Sequence, residues 1–218
     1  MSTNSMIQLM MAQANTDKKM TEKQKQIVET AIQMFAEKGY TATSTSEIAK
    51  AAGVAEGTIF RHFGTKENLL LSVIAPFVME SVPVLADEFI HDVVSKPYER
   101  FESFLTVIIK NRLAFLEENK AIFKILMSQL LHRDDLRSQF IQVFETRGLK
   151  HINAMLELGK QRGELIDLPN TELLRQIGTS VFGYFMARFV FFPNVKWDDP
   201  LEVDRLVRFI LQGIGKQT

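Results

Sequence analysis

The residues from Val54 to Leu70, VAEGTIFRHFGTKENLL, constrain the fold of this chain more than any other stretch. On a helix with about 100° between successive side chains, Thr58, Arg61 and His62 share one narrow face. Large apolar side chains share the opposite face: Ile59, Phe60 and Phe63. One short helix therefore presents polar groups on one side and packs with the other.

A second short helix is predicted just before this one. Ser44 and Glu47 have the spacing of a capping box, in which each side chain bonds the backbone N–H of the other residue. Gly53 suits the left-handed position that ends a helix. The segment therefore predicts a helix, a tight turn and a helix, an arrangement that can place the second helix in the major groove of DNA.

The stretch from Gly39-Tyr40 through SEIAKAAGVAEGTIFRHFGTKENLL resembles the amino-terminal DNA-binding domain of the tetracycline-repressor (TetR) family of bacterial regulators. The shared pattern is Gly-Tyr, a Thr/Ser pair, Ile-Ala-x-x-Ala-Gly-Val, Gly-Thr-x-aromatic-x-His-Phe and Lys-Glu-x-Leu. The resemblance implies an all-α fold of about nine helices. A three-helix helix-turn-helix head would precede a larger helical body for ligand binding and dimerisation.

The expected organisation is a disordered tail over residues 1–19, a DNA-binding domain over 20–66 and the helical body over 67–218. Helical segments of the body are predicted near 83–94, 98–118, 120–131, 134–162, 170–192 and 200–215, because Pro, Gly, Asn or Asp separates them. A kink or break is expected near Pro76, which lacks a backbone N–H.

The charge distribution suits a protein that presents one end to phosphates. The formal net charge is zero, but Lys18 to Lys66 holds 8 basic and 5 acidic residues, leaving 18 basic and 21 acidic residues elsewhere. A basic head on an acidic body fits a double-stranded DNA operator as partner.

No sequence motif indicates an enzyme. The absence of cysteine excludes disulfides and thiolate metal sites. We find no nucleophile elbow, phosphate-binding glycine loop or HExxH motif. The histidines lack metal-ligand spacing: His62, His91, His132 and His151. We therefore expect no catalytic residue, no metal and no cofactor.

The sequence predicts a cytoplasmic protein without a membrane partner. Its first residues lack the basic and apolar regions of a signal peptide. The apolar run over residues 181–192 is too short to span a bilayer and contains Arg188.

The resemblance implies that the head contacts both DNA backbones and the base edges. The predicted DNA-binding residues are Tyr40, Thr43, Ser44, Glu56, Gly57, Thr58, Arg61, His62 and Lys66. Arg61 and His62 would reach bases, and the others would contact phosphates. The alternative is that Thr58 and Ser44 only cap helices or face water, while His62 packs on Phe63.

Departures from the family pattern weaken the expected backbone contacts. Ala55 stands where a capping residue is common, so the helix that begins after it lacks a cap worth about 1 kcal/mol. We call this helix, which carries Thr58, Arg61 and His62, the recognition helix. Glu56 places a carboxylate near phosphate, and Phe60 replaces a frequent Tyr and offers no hydroxyl.

The last two helices are the candidates for a homodimer interface, because the resemblance implies a four-helix bundle there. The predicted interface residues are Ile177, Val181, Phe182, Phe185, Phe189, Leu206, Phe209 and Ile210. The alternative is that these side chains complete the core of a single chain.

The aromatic residues of the body predict a cavity for a small apolar or amphipathic effector. The predicted lining is Phe77, Phe104, Ile108, Arg112, Phe115, Phe123, Met127, Phe144, His151, Met155 and Tyr184. Arg112 lies within an apolar stripe and needs a partner, either an acidic side chain, water at a rim or a ligand carboxylate. A repressor released by this effector is the expected function. The alternatives are a ligand-independent DNA-binding protein and a transcriptional activator of the same fold.

Overall fold

The computed structural model describes residues 6–18 and 20–214, and the regular secondary structure of this part of the chain is helical. The all-α fold is therefore confirmed. The helices are α1 (Met6–Thr16), α2 (Glu22–Lys38), α3 (Thr45–Ala51), α4 (Glu56–Phe63), α5 (Lys66–Val94), α6 (Phe101–Glu118), α7 (Lys120–His132), α8 (134–161), α9 (170–191) and α10 (Asp199–Ile214).

The chain divides into two compact units. The first contains the described residues up to Val84 together with Glu118–Gln142, and the second contains Leu85–Glu117 and the described residues from Val143 onward. The division at residue 66 between a DNA-binding and a ligand-binding domain stays a prediction, since compactness and function need not divide a chain at the same residue.

Helix α1 corrects the prediction that the first residues are disordered. Met6, Met10 and Ala14 lie on one face and are buried, and the backbone N–H of Met6 donates to the buried Oδ1 of Asn119 at 2.7 Å. An isolated helix of this length is marginal in water, so tertiary contacts stabilise α1 rather than its own sequence. Residues 1–5 and 19 of the predicted tail lie outside the described residues.

Truncation of Met10 tests the contribution of α1 to the fold. The side chain is 2% exposed, and we expect Met10→Ala to lower the free energy of unfolding by about 2–5 kcal/mol through lost burial and a cavity. Gln8→Ala, at an exposed position of the same helix, is the control. Chemical denaturation measures both, and equal stability of the two variants would mean that α1 is not packed.

Helices α2, α3 and α4 enclose a small apolar core in the first unit. Its fully buried side chains come from all three helices: Ile27, Val28, Ala31, Phe35, Ile48 and Ile59. Capping boxes begin α2 at Thr21 and α3 at Ser44, and the second confirms the helix start predicted at Ser44. Val54 and Phe63 are half-buried.

Helix α5 continues past Pro76, where we expected a kink or break. A π turn over Phe77–Ser81 follows, closed by a bond from the Val82 N–H to the Phe77 carbonyl. This wide turn lies between Pro76 and Pro83, so the helix accommodates two prolines by a local change of pitch rather than by ending.

By length and composition alone, α5 is the one helix of the described residues that could cross a membrane, with 29 residues. A buried core helix meets the same test. Leu69, Leu70, Ile74 and Phe77 of α5 are buried in the chain, so the apolar character of this helix is explained by packing.

Candidate nucleic-acid interface

A tight turn connects α3 to α4. Gly53 adopts a φ of 64°, a left-handed conformation that glycine tolerates best. The Val54 N–H donates a hydrogen bond to the Ala49 carbonyl oxygen at 3.0 Å. Helix α4 then begins after Ala55, which makes no side-chain cap, as the sequence predicted. The turn and the buried Ile59 together fix how α4 leaves the core.

The face of α4 opposite Ile59 is open to solvent. Gly57, Arg61 and His62 are exposed and Thr58 is half-buried. The His62 ring also packs edge-on against Phe63, with 6.4 Å between ring centroids, as in the alternative in which His62 packs on Phe63. The side chain nevertheless stays exposed to solvent. The predicted contacts of these residues with DNA stay a prediction, and their exposure permits them.

Glu56 has a role within the head that the sequence did not reveal. Its Oε1 accepts a hydrogen bond from Thr45 Oγ1 at 2.6 Å. This bond joins the first turn of α4 to the first turn of α3. The carboxylate therefore braces the recognition helix, which explains an acidic residue so close to the predicted phosphate contacts. Eleven positions separate the two residues, and no local sequence signal pairs them.

Tyr40 and Lys66 of the predicted set lie together. The Lys66 Nζ is 4.1 Å from the centroid of the Tyr40 ring, a cation–π contact. Partial burial lowers the pKa of Lys66 and, with the Glu67 carboxylate, raises the pKa of Tyr40. The ring holds the cation at the first residue of α5, directly after the turn that follows α4.

Thr43 does not occupy the exposed position expected of a DNA contact. Its side chain is 2% exposed, and its hydroxyl lies within hydrogen-bonding distance of the Gly39 carbonyl at 2.8 Å and the Met34 carbonyl at 3.2 Å. We therefore assign Thr43 to the turn after α2, where a buried hydroxyl needs a protein partner. Ser44 is exposed, although its hydroxyl already bonds Glu47 in the capping box.

Glu47 anchors the start of α3 electrostatically. It accepts the Ser44 backbone N–H at 2.9 Å and forms an ion pair with Lys38 at 3.1 Å. The bond from Ser44 and then the Lys38 cation lower the pKa of Glu47 to about 2. Both interactions favour the ionised carboxylate.

This lowered pKa predicts an acid-sensitive contribution to stability. Because the folded pKa lies below the ordinary value of 4.5, the contribution is complete above about pH 5 and is lost as the pH falls toward 2. We expect Glu47→Gln to lower the thermal midpoint at pH 7 and to match the wild type near pH 2. Circular dichroism across this range measures it, and parallel curves at every pH would contradict the assignment.

The predicted effector residues are divided between the two units, and each unit is described by itself. In the first unit, Phe77 and Phe123 are buried and Met127 is half-buried. In the second unit, Phe104 and Phe115 are buried, whereas Ile108, Arg112, Met155 and Tyr184 are half-buried. Phe144 is 42% exposed at the start of a π turn, a position less suited to an enclosed lining, and the lining as a whole stays a prediction.

His151 lies in an open cleft of the second unit with a volume of about 580 Å³. Its Nδ1 is 3.3 Å from Ser95 Oγ, and the ion pair of Asp87 with Arg147 forms part of the lining. Tyr184 instead packs edge-on to Trp197, with 5.9 Å between ring centroids. Burial and then the Asp199 carboxylate raise the pKa of Tyr184 to about 12, so its hydroxyl stays protonated.

The predicted interface residues fall into two groups. Phe182 on α9 and Phe209 on α10 are 51% and 69% exposed, while Ile177, Val181 and Leu206 are half-buried. Three others are buried inside the chain, where they support the second unit rather than an outer surface: Phe185, Phe189 and Ile210. Their burial favours the alternative of an intrachain core for these three, and the dimer interface itself stays a prediction.

The head has the architecture of a helix-turn-helix DNA-binding protein, with an exposed polar face on the second helix of the motif. Residues 27–73 match the sequence profile of "Bacterial regulatory proteins, tetR family". The head of the chain therefore matches this family of transcriptional regulators, as the sequence resemblance implied, and the proteins that it resembles are regulators rather than enzymes.

Three related proteins show how far the similarity extends. HTH-type transcriptional regulator YuxN of Bacillus subtilis, itself uncharacterised, is 49% identical over 55 residues, which span 25% of this chain and 19% of that protein. The fatty acid metabolism regulator protein of B. subtilis is 27% identical over 159 residues, covering 72% of this chain and 77% of the relative. The crystal structure of B. subtilis FadR in complex with stearoyl-CoA has a TM-score of 0.56 at 24% identity, covering 87% and 98% of the two chains.

Proposed function

We propose that this chain is a cytoplasmic transcriptional repressor that binds a palindromic operator as a homodimer and is released by a small amphipathic molecule. The observation that carries the DNA-binding part is the exposed face of α4, where Arg61 and His62 project from a tetR-type head. Arg recognises guanine through two parallel hydrogen bonds in the major groove.

Dimerisation follows from the number of contacts available. One head offers few base contacts, whereas two heads related by symmetry read two half-sites and gain the specificity that a genome requires. The exposed phenylalanines Phe182 and Phe209 support α9 and α10 as the shared surface, since large apolar side chains favour burial between protomers.

The class of effector is supported by the relatives. One is described as a fatty acid metabolism regulator, and a structure of the same fold was solved with stearoyl-CoA. The aromatic side chains of the second unit suit a hydrocarbon chain. We therefore propose a fatty acid derivative as the effector of this chain.

The proposed mechanism is a shift of population. An effector that binds one conformation of the body more tightly favours that conformation, and the affinity for DNA falls by the corresponding coupling free energy. Helix α5 contributes residues to both compact units, so a change along it would reach the head through the chain itself.

Selection of binding sites from randomised duplex DNA tests the proposal. The full-length protein should enrich an inverted repeat, and fluorescence anisotropy should then give an affinity for that site well above the affinity for unrelated DNA. Adding stearoyl-CoA should reduce operator binding. A lack of sequence enrichment would overturn operator recognition. Operator binding that no fatty acid or acyl-CoA changes would favour the ligand-independent alternative.

A reporter gene behind the selected site separates a repressor from an activator. Expression of this protein should lower transcription from a promoter that contains the operator, because a bound dimer obstructs the polymerase. Increased transcription would favour the activator alternative.

A further inference from the structure

Arg112 is a half-buried cation in aromatic surroundings. It lies on α6 within the second unit, and its guanidinium carbon is 3.8 Å from the ring centroid of Phe89 and 4.8 Å from that of Phe115. Both rings contact the guanidinium by cation–π interactions. The positions one helical turn before and after Arg112 carry the buried apolar side chains of Ile109 and Leu116, so little water is available on this side to solvate the charge.

The hydrogen bonds of Arg112 leave its charge without a counterion. Its Nε and Nη2 donate to the Asn111 side-chain oxygen at 3.0 and 2.6 Å. This amide oxygen is neutral, and a guanidinium carries five N–H donors. In the part of the chain that the structure describes, no carboxylate forms an ion pair with Arg112.

Arg188 shows what a structural arginine of this unit looks like. Its guanidinium also lies near aromatic rings, those of Phe189 and Trp197. Unlike Arg112, it forms ion pairs with Asp199 at 3.0 Å and Glu117 at 3.2 Å. Among the described residues, this half-buried arginine is thus paired with two carboxylates, whereas Arg112 forms an ion pair with none.

An unpaired cation in apolar surroundings is unfavourable until an anion reaches it. Burial lowers the pKa of Arg112 to about 10, and the guanidinium stays protonated at neutral pH. A carboxylate or phosphate would supply the missing charge, because a guanidinium binds either group through two parallel hydrogen bonds.

We propose that Arg112 is the anion-recognition residue of the effector site, and that the effector is an amphipathic anion whose hydrocarbon part packs beside Phe89 and Phe115. This inference rests on the proposed effector function and narrows its ligand class. A neutral apolar molecule would leave the charge unpaired and is disfavoured. The anion is either the carboxylate of a fatty acid or a phosphate of an acyl-CoA, which share this chemistry.

Isothermal titration calorimetry with dodecanoate, dodecanoyl-CoA and dodecan-1-ol tests the inference in the absence of DNA. The wild type should bind at least one anionic probe more tightly than the alcohol. Arg112→Met should weaken that binding by about 10- to 100-fold, the effect of losing hydrogen bonds to a charged group. Lys110→Gln, which removes an exposed cation from the same helix, should change it less than twofold.

Arg112→Lys separates charge from folding, because it keeps the cation on a side chain of similar length. Its affinity for the anionic probe should lie between those of the wild type and Arg112→Met. Binding of dodecanoate assigns the carboxylate, and binding of dodecanoyl-CoA alone assigns the phosphate. The inference is overturned if the alcohol binds as tightly as the anions, if Arg112→Met binds them like the wild type, or if the Lys variant binds no better than the Met variant.

The operator assay, run with the wild type and with Arg112→Met, distinguishes failure of this inference from failure of the proposed function. Release of DNA by stearoyl-CoA from the wild type and from Arg112→Met alike would retain the effector function and overturn the role of Arg112. Arg112-dependent binding of an anion that leaves operator affinity unchanged would retain the site and overturn release by the effector.

Discussion

Replacing both Phe182 and Phe209 with aspartate is expected to convert the proposed dimer into a folded monomer. Each side chain is more than half exposed in the single chain, so the substitutions should leave the monomer intact. Central aromatic residues of an interface contribute about 2 kcal/mol or more each. In a symmetric dimer every substitution also occurs twice, so dimer affinity should fall by at least about a thousandfold.

Sedimentation velocity at micromolar concentration measures this result, together with circular dichroism to confirm the helical content. The control is Leu131→Asp, which places the same charge at an apolar position that is 72% exposed in the first unit and should remain dimeric. Operator affinity of the double variant should fall by at least about a hundredfold, because a single head reads one half-site. A double variant that stays dimeric would place the interface elsewhere.

Arg61→Ala is expected to weaken operator binding by about 1–3 kcal/mol and to relax the preference for one base pair. Arg61 is exposed on the polar face of α4, and loss of a bidentate contact to guanine removes discrimination as well as affinity. Fluorescence anisotropy with the operator and with single-base variants of each half-site measures both effects.

Lys66→Ala is the comparison for Arg61→Ala. Lys66 is held against the Tyr40 ring and is a proposed phosphate contact, so its loss should weaken binding to all sequences alike. The slope of log affinity against log salt concentration should decrease in magnitude by about one. If Arg61→Ala also lost affinity equally on every sequence, Arg61 would be reassigned to the DNA backbone.

The head was predictable because its signals are local. The capping pairs Thr21 with Gln24 and Ser44 with Glu47 are three residues apart, and each was found at the start of its helix. The absence of a side-chain cap at Ala55 could likewise be predicted from the sequence, because alanine has no polar side-chain atom. Such features depend on a few neighbouring residues. The family pattern added the expectation that α3, the turn and α4 form one helix-turn-helix unit.

The body was less predictable because its contacts join distant residues. The stacking of Arg112 on Phe89 crosses from α6 to α5, and nothing near either residue in the sequence pairs them. The burial of Phe185 and Phe189 beside the exposed Phe182 likewise depends on where α9 meets the rest of its unit. Helix α1 was missed because a stripe of two methionines and an alanine becomes a helix only when it packs.

The missing cap at Ala55 has a consequence for how the recognition helix moves. Helix α4 has eight residues, and Ile59 is its only buried side chain among those described, so little local free energy opposes its transient opening. Amide hydrogen exchange in the free protein should therefore be faster in α4 than in α2, whose capping box and six buried side chains protect it. DNA phosphates that accept hydrogen bonds from the uncapped N–H groups would slow this exchange. Operator binding would therefore stabilise the recognition helix against local opening.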